Sequence, residues 1–197
     1  MELADLDLNK VYSYADYFKW QFEERVELIK GKIFKMSPAP NFKHQVLAGE
    51  IHALFRNFLK KKPCHAFVAP FDVRLPLARQ SKEDKDIYTV LQPDVCVVCD
   101  TSKFDKRGCV GAPDIVVEVL SPSNNEKELK NKFDVYEEAG VTEYWIVSPQ
   151  NKFLLVNKLV DGHYVTSRPM VAGDIVTTDV LPGFSIDLQE LFDCLIY

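Results

Sequence analysis

The sequence predicts a mixed α/β (α+β) fold, in which a central sheet is flanked by helices and extended by β-hairpins. Apart from Asp94, Asp114 and Glu118, residues 93–98 and 113–120 are apolar and largely β-branched, which is typical of central strands covered on both faces. A helical stretch and another apolar run, residues 143–147, follow. This order indicates a crossover unit whose two strands are parallel.

Length and composition favour one domain spanning residues 1–197. The chain has 197 residues, 47% of them hydrophobic, which is enough for a substantial core. Its net charge of −5 is not typical of a protein that binds nucleic acid over much of its surface, or of one that binds to membrane surfaces. The N-terminus lacks a basic and apolar leader, and no stretch approaches the roughly 18 apolar residues of a membrane span. We therefore expect a cytoplasmic protein without membrane association.

The cysteines are predicted to be reduced thiols. They are five in number and scattered: Cys64, Cys96, Cys99, Cys109 and Cys194. An odd, dispersed set argues against a disulfide framework. Cys96 and Cys99 form a C-x-x-C pair, but positions three apart on a strand face opposite sides, so a zinc site is not expected.

The first half of the chain predicts helix, hairpin and helix. Ser13 is a plausible N-cap for a short helix over residues 14–22. Residues 26–36 alternate around Lys30-Gly31 as a β-hairpin does, which places Glu27 on an early strand. Apolar residues then recur at helical spacing from Asn41 until the Lys-Lys-Lys-Pro sequence at 60–63.

Extended segments are predicted next, at residues 65–75, 93–98 and 113–120. Polar stretches at 79–90 and 100–111 separate them and predict loops. Asn124 or Asn125 can cap a helix over Glu126–Ala139, which Gly140 would end.

The last part of the chain predicts a strand, a hairpin and a helix. After the strand at 143–147, residues 152–160 and 163–167 flank an Asp161-Gly162 turn. Residues 187–192 follow a Pro-Gly loop and predict a C-terminal helix.

Two carboxylates stand in or beside the predicted central strands. Asp94 precedes one apolar run, and Glu118 lies 24 residues later near the end of the other. An acid in such a strand costs free energy unless it is paired or bound to a metal. If the two strands are neighbours, Asp94 and Glu118 enter one pocket and can supply oxygen ligands to Mg²⁺ or Mn²⁺.

A lysine on the following helix could act with these acids. Lys127, Lys130 and Lys132 are candidates, and Lys132 is the best placed because it precedes Tyr136 by four residues and borders the apolar face. A cation near a scissile phosphate stabilises the charge that develops in the transition state.

Structural explanations remain open for each of these acids. Asp94 or Glu118 alone could cap a helix or pair with a lysine. Asp114 follows Pro113, so a turn or edge role is favoured, and it is left out of the catalytic set.

Glu27 and His44 each have two interpretations. Glu27 could form a cross-strand pair with Lys32 or Lys35, or it could complete the metal site or orient the helix lysine. His44 could be a helix residue without chemistry, or it could position a water or a ligand.

Several of these motifs together carry a resemblance to a known family. They are Glu27-Leu-Ile-Lys-Gly, Pro40 with His44-Gln, Gln92-Pro-Asp-Val, Gly111-Ala-Pro-Asp-Ile-Val-Val-Glu-Val-Leu-Ser-Pro-Ser, and Lys132 before Tyr136-Glu-Glu-Ala-Gly-Val-Thr-Glu-Tyr-Trp-Ile-Val. Over residues 10–190 the chain resembles the Uma-two family of restriction-endonuclease-like proteins. The resemblance implies the PD-(D/E)xK nuclease fold, a mixed sheet flanked by helices, with a metal-dependent nuclease site.

The resemblance also suggests roles for single residues. Asp94 matches the aspartate of the PD element and Glu118 the second acid. The nuclease pattern has a lysine two residues after that acid, where this chain has Leu120; in this family the lysine has moved to the next helix, at Lys132. Glu27 and His44 match the family's glutamate and histidine, so the expected catalytic set is Asp94, Glu118, Lys132, Glu27 and His44, with Asp94, Glu118 and Glu27 as metal ligands.

The resulting hypothesis is an endonuclease that uses Mg²⁺ or Mn²⁺ to hydrolyse phosphodiester bonds in DNA. By analogy with restriction-like nucleases, it is expected to be a homodimer. Basic residues near the acid-bearing strands either line a DNA groove or belong to solvated surface: Lys103, Lys106, Arg107, Lys127 and Lys130. The alternative is a catalytically silent protein of the same fold that binds nucleic acid or another protein.

Overall fold

The computed structural model describes residues 3–36, 41–76, 81–122 and 126–195. The described helices are α1 (Tyr14–Tyr17), α2 (Phe42–Phe58), α3 (Glu126–Ala139) and α4 (Leu188–Asp193). The described strands are β1 (Val26–Ile29), β2 (Lys32–Lys35), β3 (His65–Val68), β4 (Val73–Arg74), β5 (Val90–Leu91), β6 (Val95–Val98), β7 (Phe104–Asp105), β8 (Gly108–Val110), β9 (Ile115–Val119), β10 (Glu143–Ser148), β11 (Phe153–Val160), β12 (His163–Thr166), β13 (Met170–Val171), β14 (Ile175–Thr177) and β15 (Ser185–Asp187). None of the described helices has the length and apolar character needed to cross a membrane.

The central sheet has the strand order β12-β11-β10-β9-β6-β3, and β13 also pairs with β11. Strands β9 and β10 are parallel and are joined through α3, which confirms the predicted crossover unit. The other neighbours in this sheet are antiparallel. The predicted mixed sheet flanked by helices is therefore confirmed.

Both faces of the central sheet are covered, as the consecutive apolar residues of β9 predict. Ile115, Val117 and Val119 pack on one face against the buried residues of α2 and α4. Val116 packs on the other face against α3, where Tyr136 belongs to the same apolar cluster. The end of β9 therefore lies between two helical layers, and a polar side chain there can be reached from both.

A second sheet packs against the α3 side of the central sheet. Its order is β2-β1-β5-β4-β8-β7, and Ile29, Val73 and Leu91 share an apolar cluster with Val116 of β9. The predicted β1–β2 hairpin is its first pair, and positive φ at both Lys30 and Gly31 is the backbone of a type I′ turn. This packing brings β1 beside α3.

Half of this second sheet, strands β5, β7 and β8, differs from the sequence expectation. Residues 100–111 were predicted to be a loop, but they contain β7 and β8, and β5 begins within the predicted loop at 79–90. These strands have only two or three residues, too few to show an alternating pattern. They form because β4 and β5 pair with each other and β8 pairs with β4, contacts made between distant parts of the chain.

The N-terminal helix is shorter than predicted. It keeps Ser13 as its N-cap, with a capping box to Asp16, but it ends at Tyr17 rather than Phe22. The following aromatic residues pack on one another instead, with Trp20 stacked on Phe22. The predicted caps Asn124 and Asn125 of α3, as well as Pro40, lie outside the described residues.

The expectation of five reduced cysteines is wrong for two of them. Cys64 and Cys99 form a disulfide. Cys64 precedes β3 and Cys99 follows β6, and these antiparallel neighbours place His65 opposite Val98, so the two cysteines meet at the same end of the pair. Cys96 and Cys99 do face opposite sides of the sheet, as predicted.

Candidate active site

Strand register brings Asp94 and Glu118 together. In the antiparallel β6–β9 pair Val95 stands opposite Val117, so the next positions outward are Asp94 and Glu118. The Val119 N–H donates to Asp94 Oδ2 at 2.7 Å, which fixes the aspartate against the end of β9. Both acids therefore lie at the same end of the central sheet.

Glu118 is buried and accepts two hydrogen bonds from α3. Its Oε1 accepts from Lys132 Nζ at 3.0 Å and from Tyr136 Oη at 2.8 Å. These donors are four residues apart on α3, so they project from the same face of the helix. The helix lysine thus reaches the acid-bearing strand.

Lys132 also contacts the second sheet. Its buried Nζ lies 3.2 Å from Glu27 Oε2 on β1, so the ammonium stands between Glu27 and Glu118. The Gln92 N–H donates to Glu27 Oε1 at 2.9 Å and fixes the carboxylate from the other side. The cross-strand neighbour of Glu27 is Phe34, so the alternative pairing with a lysine of β2 is not formed.

His44 reaches the site from the opposite layer. It lies in the first turn of α2, where its N–H donates to the Asn41 N-cap side chain at 3.0 Å. Its Nε2 lies 3.1 Å from Asp94 Oδ2. Its Nδ1 is buried without a hydrogen-bond partner in the described part of the chain. The site therefore combines two central strands, α2, α3 and the second sheet.

Burial and charge set the protonation of the site. Burial raises the pKa of Glu118 from 4.5 to about 7, although the Lys132 charge opposes this shift. Burial alone would lower the pKa of Lys132, but the carboxylates of Glu118 and Glu27 outweigh it and hold that pKa well above 10.5. The pKa of Tyr136 is raised well above 10 by burial and by the negative charge of Glu118. At neutral pH Lys132 is cationic and Tyr136 keeps its proton.

His44 is biased toward its charged form. Burial lowers its pKa, but the hydrogen bond to Asp94 and the negative charges of Asp94 and Glu118 raise it by more, so the net shift is upward. A protonated His44 would donate to Asp94 and limit how that carboxylate can turn.

The acids suit a divalent cation in their chemistry, but they do not form the expected three-carboxylate cluster. Among the described residues, no group of three or more His, Cys, Asp and Glu side chains is arranged to hold a metal. Glu27 is directed at Lys132, which lies between it and Glu118. Asp94 and Glu118 remain, and Mg²⁺ is commonly bound by one or two carboxylates with water and substrate phosphate completing its shell.

The shifted pKa of Glu118 predicts a pH-dependent stability. In EDTA, the Glu118 carboxyl loses its proton near pH 4.5 in the unfolded chain, whereas in the folded protein it keeps that proton until about pH 7. The folded state binds more protons in that interval, so the free energy of unfolding should fall as the pH rises through it. Urea unfolding at several pH values should show a smaller fall for Glu118→Gln than for the wild type; equal slopes would contradict the shift.

Two residues of this network were not assigned a role from the sequence. In the sequence Tyr136 shares the helix face of Lys132, and that i, i+4 spacing is the signal for its bond to Glu118. Gln92 contacts Glu27 through its backbone, for which the sequence holds no signal. Asp114, left out of the set, accepts the Cys99 N–H at 2.7 Å at the opposite end of the β6–β9 pair.

The fold and the site define a restriction-endonuclease-like protein, with a mixed sheet, flanking helices and two acids at one sheet end. A crystal structure of a "putative nuclease belonging to DUF820" from Anabaena variabilis has this fold, with a TM-score of 0.72 and 18% identity, covering 94% of this chain and 99% of the other. The model of the Uma2 family, described as "Putative restriction endonuclease", matches residues 14–189. The chain belongs to the Uma2 family.

A cyanobacterial protein shows that the similarity extends over nearly the whole length. The uncharacterized protein slr1290 of Synechocystis sp. is 25% identical over 180 residues, which cover 89% of this chain and 90% of that protein. The match of the Uma2 model confirms the family resemblance found in the sequence motifs.

Proposed function

We propose that the protein is an endonuclease that hydrolyses phosphodiester bonds in DNA with the aid of Mg²⁺ or Mn²⁺. The observation that carries the proposal is the approach of the buried Lys132 to Glu118, at the same sheet end as Asp94. Oxygen ligands for a metal and a cation near the scissile phosphate are the groups that metal-dependent phosphodiester hydrolysis uses. Membership in a family described as "Putative restriction endonuclease" supports the same activity.

Asp94 and Glu118 are the proposed metal ligands. A divalent cation held there would polarise the phosphate and lower the pKa of a bound water, so that hydroxide is available near neutral pH. Asp94 is held by the Val119 N–H, so its carboxylate is oriented before any ligand arrives. Glu118 must give up its proton to bind a cation, and its raised pKa allows this from about pH 7 upward.

Lys132 is the proposed transition-state cation, and Glu27 is its positioning residue. The lysine takes the role that the nuclease pattern gives to position 120, where this chain has leucine. Its long side chain can turn from Glu118 toward a phosphate oxygen while Glu27, fixed by Gln92, keeps hold of the ammonium. His44 would orient Asp94 through the Nε2 contact.

A plasmid cleavage assay tests the activity. The wild type should nick or linearise supercoiled DNA in Mg²⁺ or Mn²⁺, EDTA should stop the reaction, and Glu118→Gln should yield no product. Glu143→Gln is the matched control, because Glu143 is another buried acid on the adjacent strand, bonded to Trp145 Nε1 at 2.9 Å and outside the site. Cleavage by Glu118→Gln at the wild-type rate would contradict the proposal.

The second candidate is a catalytically silent protein of this fold that binds nucleic acid or a partner protein. It is favoured by the lack of a three-ligand cluster among the described side chains. Titration calorimetry separates the two candidates, because a nuclease should bind Mn²⁺ at millimolar concentration and lose that binding in Asp94→Asn. No heat from Mn²⁺ or Mg²⁺ in the wild type would favour the silent protein. The homodimer remains a prediction by analogy.

A further inference from the structure

A pocket of about 560 Å³ opens between β3 and the β7–β8 hairpin. Its volume lies within the range of roughly 300–1,000 Å³ that is usual for small-ligand sites. Phe67, Phe71 and Phe104 form its aromatic wall, and its polar groups are those of His65, Asp72, Asp105, Lys106 and Arg107. None of the proposed catalytic residues lines this pocket, so the proposed metal site does not explain it.

The aromatic wall presents flat ring surfaces. The rings of Phe67 and Phe71 are stacked with centroids 4.1 Å apart, and Phe104 meets Phe67 edge-on at 5.3 Å. All three side chains are half-buried rather than buried, so part of this apolar surface remains open to a ligand. A planar, apolar group is the natural occupant of such a surface.

The pocket lies on the same face of the central sheet as Glu118. Phe67 pairs with Cys96 and Cys96 with Val116, and residues opposite each other on neighbouring strands point to the same side. Glu118 is two residues beyond Val116 and therefore shares that face. Between the rings and Glu118 this face is covered by the second sheet, so the pocket and the acids adjoin at the sheet end, where Ala69 meets Asp94.

Hydrogen bonds also join the pocket wall to the site. The Ala69 N–H, just before the wall segment, donates to the backbone oxygen of Asp94 at 3.0 Å. Gln92 Nε2 donates to Asp72 Oδ1 at 2.8 Å, and the Gln92 N–H donates to Glu27. The position of the pocket relative to the proposed catalytic groups is thus fixed by direct contacts.

Basic residues near the site are largely engaged within the protein. Lys103 Nζ donates to the Ala112 backbone oxygen at 2.8 Å, Arg107 pairs with Asp84 at 2.6 Å, and Lys130 pairs with Asp134 at 2.7 Å. With a net charge of −5, the chain offers little of the phosphate neutralisation that dominates duplex binding. Base stacking on aromatic rings is the other main source of affinity for nucleic acids.

We propose that this pocket binds an unpaired nucleobase of the DNA strand whose phosphodiester enters the site. The base stacks on the Phe67 and Phe104 surface, a remaining lone pair of Asp72 accepts from its amino or imino group, and the exposed Lys106 meets an adjacent phosphate. The inference rests on the proposed function, and it makes single-stranded or locally unpaired DNA the preferred substrate.

Binding without catalysis tests the pocket. Fluorescence anisotropy in EDTA would compare a labelled single-stranded oligonucleotide with the same strand carrying abasic sites and with its duplex. The intact single strand should bind about tenfold more tightly than the abasic strand, in line with the usual effect of removing one stacking contact. Phe67→Leu and Phe104→Leu keep an apolar side chain, and each should remove most of that difference.

Tyr88→Leu is the matched control, because Tyr88 is an exposed aromatic residue that does not line the pocket. It should leave the preference unchanged, and thermal melts would show that all three variants are folded. Equal affinity for intact and abasic strands, or unchanged preference in both phenylalanine variants, would overturn the inference. Base-dependent binding without any cleavage would instead keep the pocket and remove the proposed nuclease activity.

Discussion

Lys132→Met should lower the free energy of unfolding by about 3–5 kcal/mol at neutral pH, the usual cost of removing one partner of a buried ion pair. Glu27 and Glu118 would then remain buried beside each other without the ammonium that now lies within 3.2 Å of both. Urea denaturation measures the change. Lys130→Met is the control, because Lys130 lies on the same helix but forms only an exposed pair with Asp134 and should have little effect.

The same substitution should reduce DNA cleavage by about 10²–10³-fold, as expected for removing one group that stabilises transition-state charge. A stability loss could by itself lower activity, so the double variant Lys132→Met with Glu27→Gln separates the two effects. Removing one buried negative charge should restore part of the stability. If cleavage recovers together with stability, Lys132 has only a structural role; if cleavage stays well below that of Glu27→Gln alone, the proposed catalytic role stands.

Asp94→Asn should abolish most of the cleavage, a loss on the order of 10³-fold if the carboxylate contributes several kcal/mol through a bound cation. Asp114→Asn should retain wild-type activity. The two aspartates are a matched pair, because each accepts one backbone N–H at 2.7 Å at opposite ends of the β6–β9 pair. An asparagine can keep that hydrogen bond through its amide oxygen, so both variants should stay folded, with a larger loss of stability in Asp94→Asn because it also removes the charge beside His44.

Plasmid cleavage and thermal unfolding of the two asparagine variants provide the measurement. A similar loss of cleavage in both would mean that Asp94 acts through the strand end rather than through a metal. A loss confined to Asp94→Asn would agree with the asymmetry of their surroundings, since Asp94 also contacts His44 and stands opposite Glu118.

The central part of the fold could be predicted because its pattern is local and long. Strand β9 is apolar at consecutive positions, and it is covered on both faces as that pattern requires. Helices α2 and α3 have enough residues for a helical period to appear, and both form where it predicts. In contrast, β5, β7 and β8 are too short to carry a pattern, so the part of the second sheet beyond the β1–β2 hairpin and β4 could not be predicted from the sequence.

The candidate site was also predictable only in part. The residue types and the order of Asp94, Glu118 and Lys132 are visible in the chain, and their spacing places them on two strands and the next helix. The arrangement of Glu27 could not be derived, because its direction depends on the second sheet packing against α3. That packing puts the Lys132 ammonium between Glu27 and Glu118, so the expected third metal ligand became the partner of the lysine.

The disulfide also depended on tertiary structure rather than on the sequence pattern. Count and spacing favoured free thiols, yet Cys64 and Cys99 are 35 positions apart and meet only because β3 lies beside β6. Sequence by itself determined the central strands, the main helices and the family, and it singled out the acids and the lysine as candidates, since these follow from local periodicity and from motifs. Tertiary structure alone decided which buried charges pair, which cysteines join and where an aromatic pocket opens, because these depend on contacts between segments distant in the chain.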